Sequence, residues 1–185
     1  MTKRLPSRTK LLLKSDDFHV QRNYYSTSNG QPNANDLVCC LPSFISIVLN
    51  NKCEIAFLKQ AHPTTDDFLC LPKGYIREGK GVLDVATSEL KKVIGNSITS
   101  VERLSFAPNF LSSISNEKLE ILLSFFDSSK SDESTNKNIV WLSSNEVFSI
   151  LHRSQKTGTP FYKGLFLDGQ SVYALLIYKL LRKGL

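Results

Sequence analysis

Glu89 and Lys92 stand three positions apart in a stretch that reads as a helix, a spacing at which a carboxylate and an ammonium meet across one turn. Wound at about 100° per residue, a helix from about Gly81 to Val93 carries Val82, Val85, Ala86, Leu90 and Val93 on one side, with Leu83 and Ile94 at its border. Glu89 falls inside that apolar arc. A carboxylate there is costly to bury unless it is paired, hydrogen-bonded or bound to a metal, and Lys92 is its nearest partner. Lys73, Arg77, Lys80, Lys91 and Lys92 set cations on the loop and helix against Glu78, Asp84 and Glu89. Such a surface suits a phosphorylated ligand, with Lys73, Gly74, Arg77, Lys80 and Lys92 as the binding set. A solvated charged helix face would carry the same residues.

Little else in the chain points to catalysis. His19, His62 and His152 are scattered, with no cysteine or aspartate at motif spacing, and there is no P-loop, dinucleotide fingerprint or H-E-x-x-H. Cys39, Cys40, Cys53 and Cys70 lie in apolar, strand-like surroundings without C-x-x-C spacing and read as reduced core residues. The net charge of +6 is spread singly or in pairs, with no basic run that would mark a nucleic-acid arm. With no glycosylation sequon and no long apolar run, the expectation is an intracellular protein, cytoplasmic or nuclear, with no membrane partner. Mitochondrial import is the alternative: the first residues are basic and hydroxyl-rich, although Asp16 and Asp17 do not suit a presequence.

The elements that position these residues follow from periodicity. Residues 1–36 are basic and polar and are expected to be a flexible segment, with Thr9 to Val20 able to pair as an edge strand. Residues 37–185 are expected to form one domain. Leu37 to Leu49 and Lys52 to Leu58 read as a hairpin turned by Asn50 and Asn51, which tolerate positive φ. Phe68 to Leu71 reads as a strand entering the glycine-punctuated loop before the helix, which Gly95 closes. Thr99 to Ala107 and Lys118 to Phe126 are further strands, the second with Leu119, Ile121, Leu123 and Phe125 on one side. After a short strand at Ile139 to Leu142, Ser143 to Glu146 is a capping box for a helix running to about His152. Asp168 is the expected N-cap of a last helix, Gly169 to Arg182, whose packing stripe is Val172, Leu175, Leu176 and Leu180 and whose core includes Trp141.

The stretch from Leu71-Pro72-Lys73-Gly74 to Gly95 resembles the Nudix box. Gly74, Glu89, Leu90 and Gly95 match its pattern, while Lys80, Ser88, Lys92 and Val93 stand where it has Glu, Arg and a Glu-Glu pair, and Asn96 where it has an apolar residue. Leu-Pro-Lys-Gly before the helix is common in one branch of that family. The resemblance implies an α/β fold, an α/β/α sandwich with a mixed β-sheet. In a working box the carboxylates hold magnesium or manganese beside a pyrophosphate. Here a lysine about 4 Å from a divalent ion would repel it by roughly 8 kcal/mol at an effective dielectric constant of about 20.

The resemblance therefore implies a pseudoenzyme: a non-catalytic binding or assembly module for a phosphorylated ligand or a macromolecular partner, with no cofactor. Its alternative is a divergent Nudix hydrolase of nucleoside diphosphate derivatives, using magnesium or manganese, with Glu89 and Glu78 as catalytic residues and Glu89 as the metal ligand. Glu102, Glu117 and Glu120 are further acids such an enzyme could recruit. A third reading is a subunit of an RNA-containing or mitochondrial assembly.

Overall fold

The protein is described by a computed structural model over residues 6–16, 18–26, 32–61, 67–77, 79–107, 118–130, 137–157, 161–163 and 165–183. In chain order its elements are β1 (Arg8–Lys14), β2 (Phe18–Ser26), β3 (Pro32–Cys40), β4 (Ser43–Asn50), β5 (Glu54–Gln60), β6 (Phe68–Cys70), β7 (Lys73–Tyr75), α1 (Val82–Val93), β8 (Ile98–Ala107), β9 (Leu119–Phe126), β10 (Ile139–Ser143), α2 (Ser144–Thr157), β11 (Phe161–Tyr162), β12 (Leu165–Leu167) and α3 (Gly169–Lys183). They divide into two compact units, Met1–Ser43 with Phe106–Leu119, and Phe44–Ser105 with Glu120–Leu185.

The first unit holds a three-stranded antiparallel sheet, β1-β2-β3, in the stretch expected to be flexible. Its polar residues are used across the strands. Arg22 lies opposite Asp36 and donates to both carboxylate oxygens at 2.6 and 2.8 Å, holding the aspartate below its ordinary pKa. Asn23, buried, accepts from Thr9 and Gln21 at 3.0 Å. The Arg22–Asp36 and Thr9–Asn23 pairings each join residues 14 positions apart, with Gln21 adding a bond within β2, and no apolar periodicity in the sequence announces them.

The second unit is a mixed sheet in the order β11-β12-β6-β5-β4-β9-β8, with β10 pairing β5 and β7 pairing β4. The β12–β6 pair is parallel, whereas β4–β5, β5–β6 and β10–β5 are antiparallel. Side chains of a strand alternate between faces, so the unbroken burial of Phe44 to Leu49 on β4 and Ile55 to Leu58 on β5 means both faces of this sheet are covered. On one face α1 lays Leu90 and Ile94 against Val48, Ala56, Leu58, Cys70 and Phe126, and Val82 and Ala86 against Phe44 and Leu122. Each of the valine, leucine, isoleucine and phenylalanine side chains among them contributes about 1.5–3 kcal/mol through burial. Ser46 of β4 and Ser124 of β9, both fully buried, share a hydrogen bond of 2.7 Å.

Several expectations change in detail. The β4–β5 turn has its positive φ at Cys53 (59°), not at Asn50 or Asn51. Asn50 instead accepts the N–H groups of Lys52 and Glu54 on its side chain and that of Cys53 on its carbonyl, which pushes the left-handed residue to the third loop position. Cys53 is consequently exposed, unlike buried Cys39 and Cys70; all four cysteines are free, and burial pushes the Cys70 thiol up to about 11. On β9 both sides carry buried residues, Leu119 and Ile121 on the expected one and Leu122, Ser124 and Phe126 on the other, while Phe125 is exposed. Trp141 packs against Phe126, ring centroids 5.4 Å apart, beside the cluster beneath α1. The buried stripe of α3 is Ser171, Ala174, Leu175 and Tyr178, leaving Leu176, Leu180 and Leu181 exposed.

Candidate functional site

The strand β7 hydrogen-bonds to β4 and brings Gly74 against Phe44: a Cβ on Gly74 would stand 2.9 Å from Phe44 Cε1, so only glycine fits without displacement. The chain then turns. Lys80 donates its N–H to the Arg77 carbonyl at 3.3 Å, and Gly79 takes φ 79°, a left-handed conformation costly for residues with a Cβ. Gly81 is the N-cap of α1, with φ −68° and ψ 138°, and makes no side-chain cap. The first-turn N–H groups of α1 thus receive no bond from a capping side chain, and the positive end of the helix dipole opens beside the turn.

Turn and helix enclose a cleft of about 620 Å³ lined by Tyr75, Arg77, Gly79, Lys80, Gly81, Asp84, Val85, Ser88, Glu89 and Lys92. Of the expected ligand-binding residues, Arg77, Lys80 and Lys92 face this cleft, together with Glu89. Lys73 is outside its lining: its ammonium donates to Gln170 at 3.3 Å and lies 3.9 Å from Asp168, at the start of α3. Gly74 serves the cleft by letting β7 approach, with the Glu89 Cγ 3.8 Å from where its Cβ would be. Glu78 and Glu117 lie outside the described residues. Glu102 is exposed on β8, and Glu120 accepts from Arg103 at 2.8 Å. Tyr75, 48% exposed, and Asp84 were not singled out as site residues; an aromatic two positions before Arg77 and an acid in the first helical turn were the available signals.

Glu89 is paired with Lys92, whose Nζ donates to Oε1 at 2.7 Å. The expected desolvation is absent: the two side chains are 43% and 65% exposed. The buried stripe of α1 runs through Val82, Ala86, Leu90 and Ile94, so it is rotated away from Glu89 and puts the carboxylate at the cleft rim. Val93 packs at the edge of the apolar cluster under α1. The magnesium or manganese of an active box needs several oxygen donors. The cleft offers Asp84 and Glu89 among three cations, and no group of three or more His, Cys, Asp or Glu that could hold an ion occurs among the described residues. Asp84 and Glu89 are the acids that the described lining could offer such an ion.

No family model matches the sequence, and no curated protein matches it. Among solved structures the chain is similar to the crystal structure of an ADP compounds hydrolase, with TM-score 0.65 and 18% identity, covering 99% of this chain and 98% of that one. At this identity the likeness shows the fold. With the mixed sheet covered on both faces, it makes the architecture the Nudix-like α/β sandwich that the resemblance implied. No described helix is long and apolar enough to cross a membrane.

Proposed function

We propose that the chain is a Nudix-fold binding module that holds a phosphorylated small molecule in the α1 cleft without hydrolysing it. The observation that carries this reading is the Lys92–Glu89 ion pair, 2.7 Å long and at the cleft rim, where an ammonium stands in place of a metal-binding acid. Arg77 and Lys80 lie across the same cleft, and the α1 N-terminus adds backbone donors without a side-chain cap. A phosphate entering there meets fixed cations and the helix dipole, which do the charge screening that a metal does elsewhere. Val93 puts an apolar side chain at another of the box's acid positions and packs against the cluster under α1, which takes away one of the carboxylates an active box uses.

The test is calorimetric titration with ADP and ADP-ribose, with and without magnesium, alongside a phosphate-release assay. Saturable binding that needs no magnesium, weakens at least tenfold in Lys80→Glu, and yields no product is the expected result. Failure to bind either compound in both conditions overturns it.

A second reading is a divergent hydrolase, favoured by Asp84 and Glu89 sharing the cleft and by the likeness to an ADP compounds hydrolase. Magnesium-dependent cleavage that disappears in both Asp84→Asn and Glu89→Gln would establish it in place of the first.

A further inference from the structure

The α1 cleft holds a carboxylate that a phosphate alone does not explain. Asp84, exposed in the first turn of α1, turns its side chain back over the N-cap: Oδ2 lies 3.0 Å, and Cγ 3.8 Å, from where a Cβ on Gly81 would stand. Among the described residues Asp84 forms no ion pair and no side-chain hydrogen bond, although Arg77 and Lys80 line the same space. Those two cations are exposed and likewise form no ion pair among the described residues, whereas Lys92 is engaged with Glu89 at 2.7 Å. Charges of both signs thus stand in one cleft of about 620 Å³ without neutralising each other. The helix dipole favours an acid in the first turn, which keeps the carboxylate in place. To a phosphate entering on Arg77 and Lys80 it is a repulsive neighbour, and a ligand that brings a positive group of its own turns that repulsion into attraction. Tyr75, 48% exposed in the same lining, adds an aromatic ring of the kind on which ammonium groups rest.

We propose that the ligand of this cleft is zwitterionic, a phosphate ester with an amine close to its phosphate, and that Asp84 is the residue that selects it. Arg77 and Lys80 hold the phosphate and Asp84 holds the ammonium. The inference rests on the phosphate-binding reading above and names the class of compound for that same site. Charge matching favours it. Three cations against two carboxylates give the described lining a net charge of +1. A phosphate monoester carries about −1.5 to −2 at neutral pH, so an added ammonium brings the ligand to about −0.5 to −1, close to what the lining offsets. A plain monoester overshoots it. A hydroxyl in the place of the amine supplies a hydrogen bond to Asp84 but leaves its charge facing the phosphate.

The test is calorimetric titration of the full chain, without magnesium, using 2-aminoethyl phosphate, 2-hydroxyethyl phosphate and propyl phosphate, which differ only in the terminal group. The amine should bind about tenfold more tightly than propyl phosphate, and the hydroxyl compound should resemble propyl phosphate. In Asp84→Asn the advantage of the amine should disappear while propyl phosphate binds more tightly than it does to the wild type, a pair of opposite changes that a poorly folded variant would not give. Asp84→Glu should keep part of the advantage. An amine that gains nothing over propyl phosphate overturns the inference, as does an equal gain from the hydroxyl compound or an advantage that survives Asp84→Asn. Magnesium that tightens propyl phosphate in the wild type and not in Asp84→Asn overturns it in favour of a metal at Asp84. ADP titrated alongside keeps two failures apart: if ADP binds and the amine has no advantage, the ligand class alone is wrong, whereas if neither ADP nor any of the three esters binds, the phosphate-binding reading falls and this inference falls with it.

Discussion

The N-termini of α1 and α3 are treated in opposite ways by the chain. At α3, Asp168 accepts the N–H groups of Gln170 and Ser171, while the Ser171 hydroxyl bonds to Asp168 and takes the buried N–H of Leu71. Lys73 adds its ammonium to the same carboxylate, 3.9 Å away. At α1, Gly81 provides no side-chain cap, and cations line the space in front of the helix. One terminus has been closed by the protein's own side chains and ties a helix to a strand end. The other is left without a side-chain cap. On the proposed reading, the contrast separates a structural terminus from a functional one by where hydrogen bonds are already made.

The comparison fails first if α3 proves indifferent to its cap. Ser171→Ala strands the Leu71 N–H in a fully buried place and should destabilise by about 1–3 kcal/mol in urea denaturation. An unchanged midpoint would mean that α3 is held no more firmly than α1.

The N-terminus of α2 offers an intermediate case. Ser143 and Glu146 form a reciprocal capping box, Glu146 accepting the Ser143 N–H at 2.9 Å and Ser143 Oγ accepting the Glu146 N–H at 3.3 Å. The Ser143 bonds hold the Glu146 carboxyl below its ordinary 4.5. A depressed carboxylate gives stability that is full above its unfolded pKa and is lost as pH falls through the folded one. The melting temperature should therefore drop on acidification from about pH 4.5 downward, and Ser143→Ala should flatten that part of the profile; parallel curves for the two proteins would remove the cap from the account.

The α1 side is sharpened by two small effects. Lys92→Met should change stability by less than about 0.5 kcal/mol, since the pair it breaks is exposed, yet it should weaken ADP binding in the calorimetric titration. A loss above about 1 kcal/mol would show that Glu89 is desolvated after all. Gly81→Ser should alter stability by only a few tenths of a kcal/mol, because a serine cap gains little over glycine and its Cβ would crowd Asp84 Oδ2 at 3.0 Å. If ADP affinity is also unmoved, the backbone donors of α1 are not part of the site.

How far this was legible in the sequence depended on whether the signal was local. The capping box at Ser143, the Asp168 cap and the limits of α1 are set by residues within one turn of each other, and they read correctly. The β4–β5 hairpin was legible, but its first arm starts at Ser43 and not at Leu37, since Leu37 to Cys40 belong to β3, and Asn50 uses its side chain as an acceptor and passes the positive φ to Cys53. In residues 8–36 the edge strand expected within Thr9 to Val20 is β1, but the rest of the sheet was not legible, because it is joined by cross-strand polar pairs such as Arg22 with Asp36. For α3, the expected stripe of Val172, Leu175, Leu176 and Leu180 is buried only at Leu175, because apolar residues nearly all round the helix give periodicity little to choose between. The orientation of α3 is fixed by Ser171, small enough to reach the Leu71 backbone, a contact spanning 100 residues. The same geometry explains Lys73, which the sequence grouped with the cleft and the fold assigns to α3.

The buried hydroxyls of Ser46 and Ser124 have a consequence for how the sheet avoids error while folding. The two residues are 78 positions apart, and β4 and β9 must meet across a large part of the chain. Both strands are rich in apolar side chains that would tolerate many alignments. A slip by one residue turns the β9 hydroxyl to the opposite face, and a slip by two sets each serine against an apolar neighbour. Either leaves two hydroxyls dry and unsatisfied, at about 1–3 kcal/mol each, whereas the native alignment satisfies both with one bond. A single polar pair in an otherwise permissive interface thus works as a proofreading mark, telling the right pairing from its near copies by making only the near copies costly.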